Sequence, residues 1–298
     1  MLSILIPTYN YNVYPLVTEL KSQADALGIS YEILVQDDAS KTFLEENTEI
    51  NLLQHCSYSL NHENLGRGNN INLLNNRAQF DFVLIMEADA FPEKKTYLQD
   101  LIKSINPETQ VLFGGVTYPN EKPEKDKLLR WKYGNERESI SLSERLKNPY
   151  HFVFTWNLLL KKEILSKHHF PYNVKDYGYE DVVFIKQLKE NNILVQHIEN
   201  RLVHFNSETS LTFIEKTEKA VATLNQLIIS NKLDLKDTKI GKAYSIITFW
   251  QLDMVIRFLF KKLSKQMITN LTSSNPSLIV LDLYKLGYFC LLNQKQHV

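Results

Sequence analysis

Residues 81–93 read DFVLIMEADAFPE. An apolar run, residues 82–86, stops at two carboxylates, Glu87 and Asp89, with only Ala88 between them, and Pro92 blocks continuation. A short apolar run bounded by turn signals reads as a strand buried in a parallel sheet. Ligands of such sheets bind beyond the carboxyl ends of the strands. Two carboxylates crowded there repel each other unless a cation lies between them. Hard oxygen donors suit magnesium or manganese carrying phosphates. The same residues also read as a strand followed by a solvated acidic turn, so the choice rests on the rest of the chain.

Outward from this stretch, strands and helices alternate. Residues 2–6 read as a first strand, followed by Pro7, Thr8, Tyr9 and Asn10 as a turn. Leu16, Leu20, Ala24 and Leu27 recur at helical spacing, and residues 31–35 read as a second strand ending in Asp37 and Asp38. Ser40 is placed to cap a short helix. Residues 57–60 read as a third strand, 64–68 as a turn into a helix through Ala78, 96–105 as a helix and 111–113 as a strand. This alternation predicts βαβ units and a mostly parallel sheet flanked by helices. Three strand ends carry polar or acidic residues, and a parallel sheet gathers such ends on one edge.

Beyond Gly115 the pattern is less regular. Residues 120–126 read as a surface loop, and 128–146 as a helix with a loop over the site. Residues 152–160 read as extended and 161–167 as a short helix. Tyr177, Gly178, Tyr179, Glu180 and Asp181 open a helix to about Asn191, where acidic residues also suit the helix dipole. Residues 194–198 and 202–205 read as strands, and 210–231 as a long amphipathic helix. Residues 239–298 are helical in pattern, carry the basic run Lys261, Lys262 and Lys265, and are divided by Pro276.

The bulk numbers bound the function. With 298 residues and 44% hydrophobic content the chain buries a substantial core. Lysine plus arginine equal aspartate plus glutamate at 34 each, which leaves no global basic field for nucleic acid. Cys56 and Cys290 are the two cysteines, which fits a reducing compartment rather than a disulfide scaffold. The opening MLSILIPTYN reads as a strand, not a signal peptide. The most apolar later window, 246–260, is interrupted by Gln251, Asp253 and Arg257, so no spanning helix is expected. These features predict a cytoplasmic protein, at most peripheral at the inner face of a membrane.

Six segments in order resemble family 2 glycosyltransferases of the GT-A (Rossmann-like) fold. They are SILIPTYN at 3–10, EILVQDDAS at 32–40, NLGRGNNINLLNNRA at 64–78, IMEADA at 85–90, YGYEDVVF at 177–184 and LVHF at 202–205. The resemblance covers residues 1–227 or so. It implies a glycosyltransferase domain over 1–235, with a nucleotide-binding half at 1–115 and an acceptor-binding half at 116–235, and a C-terminal helical region at 236–298.

The resemblance also implies the chemistry. A hexosyl group would pass, with inversion, from a nucleotide diphosphate sugar to a hydroxyl of a glycan or glycolipid in polysaccharide or surface-glycan biosynthesis. A divalent cation, Mn2+ or Mg2+, would offset charge on the leaving diphosphate. Asp89 matches the metal-binding acid of the family's DxD motif, and His204 matches a further ligand. Glu87 stands where the family usually has an aspartate that acts at the ribose or through water, and it and Ala88 would help bind the nucleotide sugar. Asp37 and Asp38 match residues that grip the base and ribose, a grip that would favour uridine nucleotides. Pro7, Thr8 and Tyr9 would floor the base pocket, and Asn64, Gly66 and Arg67 would line the ribose and diphosphate. Asp181 would be the base that takes the acceptor proton, Glu180 would contact the acceptor or support its loop, and Trp156 would lie under the acceptor.

Two other readings compete. One is a non-catalytic nucleotide-sugar-binding relative, kept open by Glu87. The other is a nucleotidyltransferase, which lacks a Gly-rich, Lys-bearing signature here. The C-terminal helices have two readings of their own, packing on the catalytic domain or contact with an anionic membrane surface.

Overall fold

The computed structural model describes residues 1–172, 177–206 and 208–293. The last five residues of the expected helical region lie outside the described residues. The chain divides into two compact units that interleave in sequence: Met1–Pro119, Arg137–Lys175 and Phe184–Phe205 form the first, and Asn120–Glu136, Asp176–Val183 and Asn206–Val298 form the second.

The first unit holds all ten described strands: β1 (Leu2–Thr8), β2 (Tyr31–Asp37), β3 (Cys56–Leu60), β4 (Phe82–Ile85), β5 (Ala90–Pro92), β6 (Val111–Phe113), β7 (Val116–Thr117), β8 (Leu158–Lys161), β9 (Val195–His197) and β10 (Leu202–His204). Seven form one sheet in the order β3-β2-β1-β4-β8-β6-β9, and three form a small second sheet in the order β5-β10-β7. β2, β1 and β4 run parallel, and β8 is antiparallel to β4 and to β6.

Why the central strands are apolar on both faces follows from their neighbours. Along β1, Leu2, Ile4 and Ile6 enter one core while Leu5 enters the other. β2 repeats this with Ile33 and Val35 against Leu34, and β4 with Leu84 against Val83 and Ile85. Alternate side chains of a strand point to opposite faces, so helices must cover both. Leu16, Val17 and Leu20 of the Tyr14–Leu27 helix cover the first face. Ile71 and Leu74 of the Arg67–Arg77 helix, with Phe184, Ile185 and Leu188 of the Glu180–Glu190 helix, cover the second. At about 25 cal/mol per Å² such two-sided burial dominates the stability of the unit. Pro7 sits in β1 beyond the end of its pairing with β4, which stops at Leu5 opposite Ile85. Its missing N–H therefore breaks no bond to β4.

The second unit is helical. Leu129, Phe213, Ile214, Phe260, Leu271, Leu278, Leu281 and Tyr284 form its core. They come from the helices Leu128–Tyr133, Ser210–Ile229, Asp253–Leu271 and Leu278–Leu292. The tail thus packs on the Ser210–Ile229 helix. Side-chain caps set three starts: Thr209 accepts from Thr212 N, Thr238 from Gly241 N, and Ser277 from Val280 N.

Several boundaries differ from expectation. The short helix after β2 starts at Leu44, and Ser40 instead accepts from the backbone N–H of Asn10. Of 152–160 only the end is strand, β8. Pro92, read as a stop, belongs to the edge strand β5, where a missing donor is tolerated.

Candidate active site

Within the first unit the carboxyl ends of β1, β2 and β4 share one edge of the sheet. β4 ends at Ile85, Met86 N donates to Leu5 O at 3.0 Å, and the chain turns through Glu87, Ala88 and Asp89. β5 then pairs antiparallel with β10, setting Ala90 opposite His204, and Phe205 N donates to Asp89 O at 2.9 Å. This pairing brings His204 Nε2 to 3.1 Å from Asp89 Oδ1. His204 is buried between the Trp156 ring at 5.0 Å and the Tyr118 ring, edge-on at 5.4 Å. Its Nδ1 has no hydrogen-bond partner among the described residues. Asp89 is one quarter exposed, while the oxygen that faces His204 is buried. Burial, and then the charge of Asp89, push the Tyr11 phenol above its usual range.

Asp89 and His204 fit a dication in part. A carboxylate oxygen and an imidazole nitrogen suit manganese, and their separation of 3.1 Å also suits two adjacent corners of an octahedral ion with bonds of about 2.1 Å. Among the described residues no group of three or more His, Cys, Asp and Glu side chains gathers to hold a metal. The pair therefore suits an ion whose remaining ligands come from elsewhere, as from a diphosphate.

Glu87 lies outside that pair. Arg67, the first residue of its helix, donates from Nε to both Glu87 oxygens at 3.2 and 3.1 Å, and Nη2 lies 3.0 Å from Oε2. The same guanidinium donates to Thr155 Oγ1 at 2.9 Å and to Thr155 O at 3.1 Å. Such a fork fixes position more than it adds stability. Thr155 was not singled out in the sequence, because nothing local marks it as a partner of a residue so distant in the chain.

Asp37 and Asp38 turn inward. Asp37 is fully buried; Oδ1 accepts from Ser40 N and Oδ2 from the Tyr58 hydroxyl, both at 2.8 Å. Burial and that hydrogen bond push the Tyr58 phenol up. Asp38 Oδ1 accepts from Leu65 N at 2.8 Å and Asn61 Nδ2 at 3.0 Å, while Oδ2 accepts from Gly66 N at 2.9 Å. Asn64 Nδ2 donates to Asp38 O at 3.2 Å. Gly66 holds φ at 86°, which frees its N–H for this role without a Cβ clash. Asp38 thus pins the 64–66 loop to the end of β2. Thr8 is buried with Oγ1 lacking a partner among the described residues, whereas Tyr9 is exposed.

Glu180 and Asp181 open their helix in the second unit. Glu180 is buried and accepts from Gly178 N at 3.0 Å; Asp181 Oδ1 accepts from Val182 N at 2.8 Å. Tyr179 beside them is held far above its usual pKa by burial, with the charges of Tyr133 and Asp181 adding. Gly178 has φ of 105°, and a Cβ there would lie 2.5 Å from Ala220 Cβ. Thr223 Oγ1 donates to Tyr177 O at 3.1 Å. The Tyr177–Gly178 backbone is thereby seated on the Ser210–Ile229 helix.

Comparison with known proteins agrees with the topology. The model of the family described as "Glycosyl transferase family 2" matches residues 3–168, more than half of the chain. No curated protein matches the sequence. Among solved structures, a mannosyltransferase from Pyrobaculum calidifontis, in complex with GDP-Man and Mn2+, superposes with a TM-score of 0.55 at 16% identity, over 98% of this chain and 81% of that one. TarS of S. aureus gives 0.50 at 20% identity over 76% of this chain. The chain covers 39% of the length of that TarS chain. Residues 1–349 of TarS in complex with UDP-GlcNAc give 0.50 at 17%, over 98% of this chain and 92% of that one. At these identities the likeness is one of fold.

Proposed function

The chain belongs to glycosyl transferase family 2 and has the GT-A fold, and from that premise we propose that it transfers a hexosyl group from a UDP-sugar to a hydroxyl of a glycan or glycolipid, with inversion, in polysaccharide or surface-glycan biosynthesis. The observation that carries the reading is the Asp89–His204 pair, set by β5 and β10 at the carboxyl edge of the sheet. When bound there, Mn2+ or Mg2+ supplies positive charge against the charge that develops on the leaving diphosphate.

The remaining roles belong to the chain's own groups. Asp38 and Asn64 hold the 64–66 loop that walls the donor, and Asp37 holds the turn after β2. Pro7, Thr8 and Tyr9 floor the base pocket, where the exposed Tyr9 ring offers a face to a base. Gly66 and Ala88 allow close backbone approach. Arg67, steadied by Glu87 and Thr155, presents positive charge on the diphosphate side. Asp181 takes the proton of the acceptor hydroxyl as its oxygen attacks the anomeric carbon. Glu180 supports that loop through Gly178 N, and Trp156 lies under the acceptor. Cys56 and Cys290 carry free thiols, which is compatible with a reducing, cytoplasmic setting.

UDP-GlcNAc and GDP-Man in the two compared structures frame the donor test. The purified chain should melt at a higher temperature with UDP only when Mn2+ is present. A ligand at about 100 times its dissociation constant adds about 2.7 kcal/mol. A shift with GDP alone would change the donor and keep the reaction. Asp181→Asn should keep the UDP shift and lose about 10²–10⁴ in turnover. No shift with any nucleoside diphosphate, and no sugar release from any nucleotide sugar, would favour a non-catalytic relative. The engagement of Glu87 by Arg67 is the observation on that side.

A further inference from the structure

The helices Lys239–Phe249 and Asp253–Leu271 meet at a bend of 118°. The corner is apolar and open. Phe249 is 78% exposed, Trp250 67% and Met254 70%, and Leu252, Val255 and Phe258 are exposed beside them. This exposure is not that of a helix lacking a core. The Asp253–Leu271 helix already buries Phe260 and Leu271 in the second unit, with the Phe260 ring edge-on to Tyr284 at 5.1 Å. At 100° per residue, Phe258, Lys262 and Lys265 lie on the opposite side, with Met254 and Lys261 about a quarter-turn round on the flank. The helix therefore has a second apolar face that continues into a basic one.

Charge says what that face fits. Residues 239–270 carry Lys239, Lys242, Arg257, Lys261, Lys262 and Lys265 against Asp253 alone, in a chain whose formal net charge is zero. Asp253 is already bridged to Arg257 at 2.9 Å. At 1.5 Å rise per residue the lysine row starts about 13 Å from the corner. A corner seated about 5–10 Å into the headgroup and acyl boundary leaves those ammonium groups at the phosphates. Their stems can reach further by lying along apolar surface, and the Lys262 ammonium sits over the Phe258 ring at 4.4 Å, which joins the basic row to the apolar face. Tryptophan at the corner suits the same depth. Among the described residues no single helix is long and apolar enough to cross a membrane, and these two pass by length and composition only as a bent pair; the lysines along the second helix favour a contact that lies on the bilayer. A symmetric contact with a second copy would set this positive patch against itself.

We propose that the 249–265 corner docks on an anionic lipid bilayer, with Phe249 and Trp250 inserted and Lys261, Lys262 and Lys265 on the headgroups. The test needs no donor, so its outcome is separate from that of the sugar-transfer reading. The full chain is sedimented with phosphatidylcholine vesicles, with and without phosphatidylserine, at low and high salt. Binding should require phosphatidylserine and fall with salt. Lys261→Gln, Lys262→Gln and Lys265→Gln together should lower partitioning by about tenfold or more. Phe249→Ser with Trp250→Ser should abolish it with the melting curve unchanged, since both side chains are exposed. Brominated lipid should quench the wild type and spare Trp250→Phe. Absence of binding, or equal binding to neutral vesicles, would overturn the proposal. So would a dimer in sedimentation equilibrium that the double serine variant dissolves, which would make the corner a subunit contact.

Discussion

Asp89 and His204 are the side chains whose removal should separate donor chemistry from folding. Asp89 lies on the turn after β4 and is one quarter exposed, whereas His204 ends β10 and is buried. Asp89→Asn should cost about 10²–10³ in turnover and remove the metal dependence of nucleotide binding, with the melting curve of the free chain little changed. His204→Ala should weaken apparent Mn2+ affinity by at least about tenfold, read by titrating Mn2+ at fixed UDP. His197 gives a residue-scale prediction about pH. Burial, with the Arg145 charge adding, holds its pKa below the usual value, although the Pro149 carbonyl works the other way. Its Nδ1 faces Arg145 Nη1 at 3.2 Å and its Nε2 faces Pro149 O at 2.9 Å, a fit for the neutral ring. The unfolded chain then binds the proton more readily. Stability is full above about pH 6.5 and is lost as pH falls below it. Urea midpoints should therefore drop from neutral pH to mildly acid pH, and less so in His197→Gln. His168, also lowered chiefly by burial, adds with the same sign and keeps the effect from vanishing. At this scale the acidic strand ends are visible in the sequence as residue types. Their partners are not, because Tyr58, Leu65 and Gly66 meet them, and Thr155 meets Arg67, only through the path of the folded chain.

At the scale of elements, β1, β2 and β4 were legible because each is a short apolar run closed by polar residues. β5 was not. Pro92 argues against a strand, yet among the described residues β5 pairs with β10 alone, at the edge of its sheet, so the missing donor costs no ladder bond. That small pairing decides whether His204 reaches Asp89. The glycine before Glu180 shows a similar dependence. Gly178→Ala forces a side chain into φ of 105° and within 2.5 Å of Ala220 Cβ. The cost should be about 1–3 kcal/mol or more, seen as a lower melting temperature. Adding Ala220→Gly should recover the part due to the clash and leave the part due to backbone strain. The helix start at Glu180 was readable from its acidic pair, whereas the demand for glycine at 178 arises from the neighbouring Ser210–Ile229 helix.

For the whole molecule, the α/β alternation foretold a sheet covered on both faces and a helical C-terminal region. It did not foretell that the compact units interleave, because unit membership depends on which helix faces pack, and periodicity does not name their partners. The β5–β10 pairing also sets a clock. β1, β2 and β4 are translated in the first third of the chain, whereas β10 arrives in the last. At about 5–20 residues per second, Asp89 leaves the ribosome on the order of ten seconds before His204. A nascent chain can thus build its central sheet before the Asp89–His204 pair exists, and it acquires that pair only once β10 has followed. In refolding from urea the same order should hold, with Mn2+-dependent UDP binding recovering after the circular dichroism of the sheet. On the proposed roles of Asp89 and His204, a chain assembled in this order would not capture donor before β10 has joined β5.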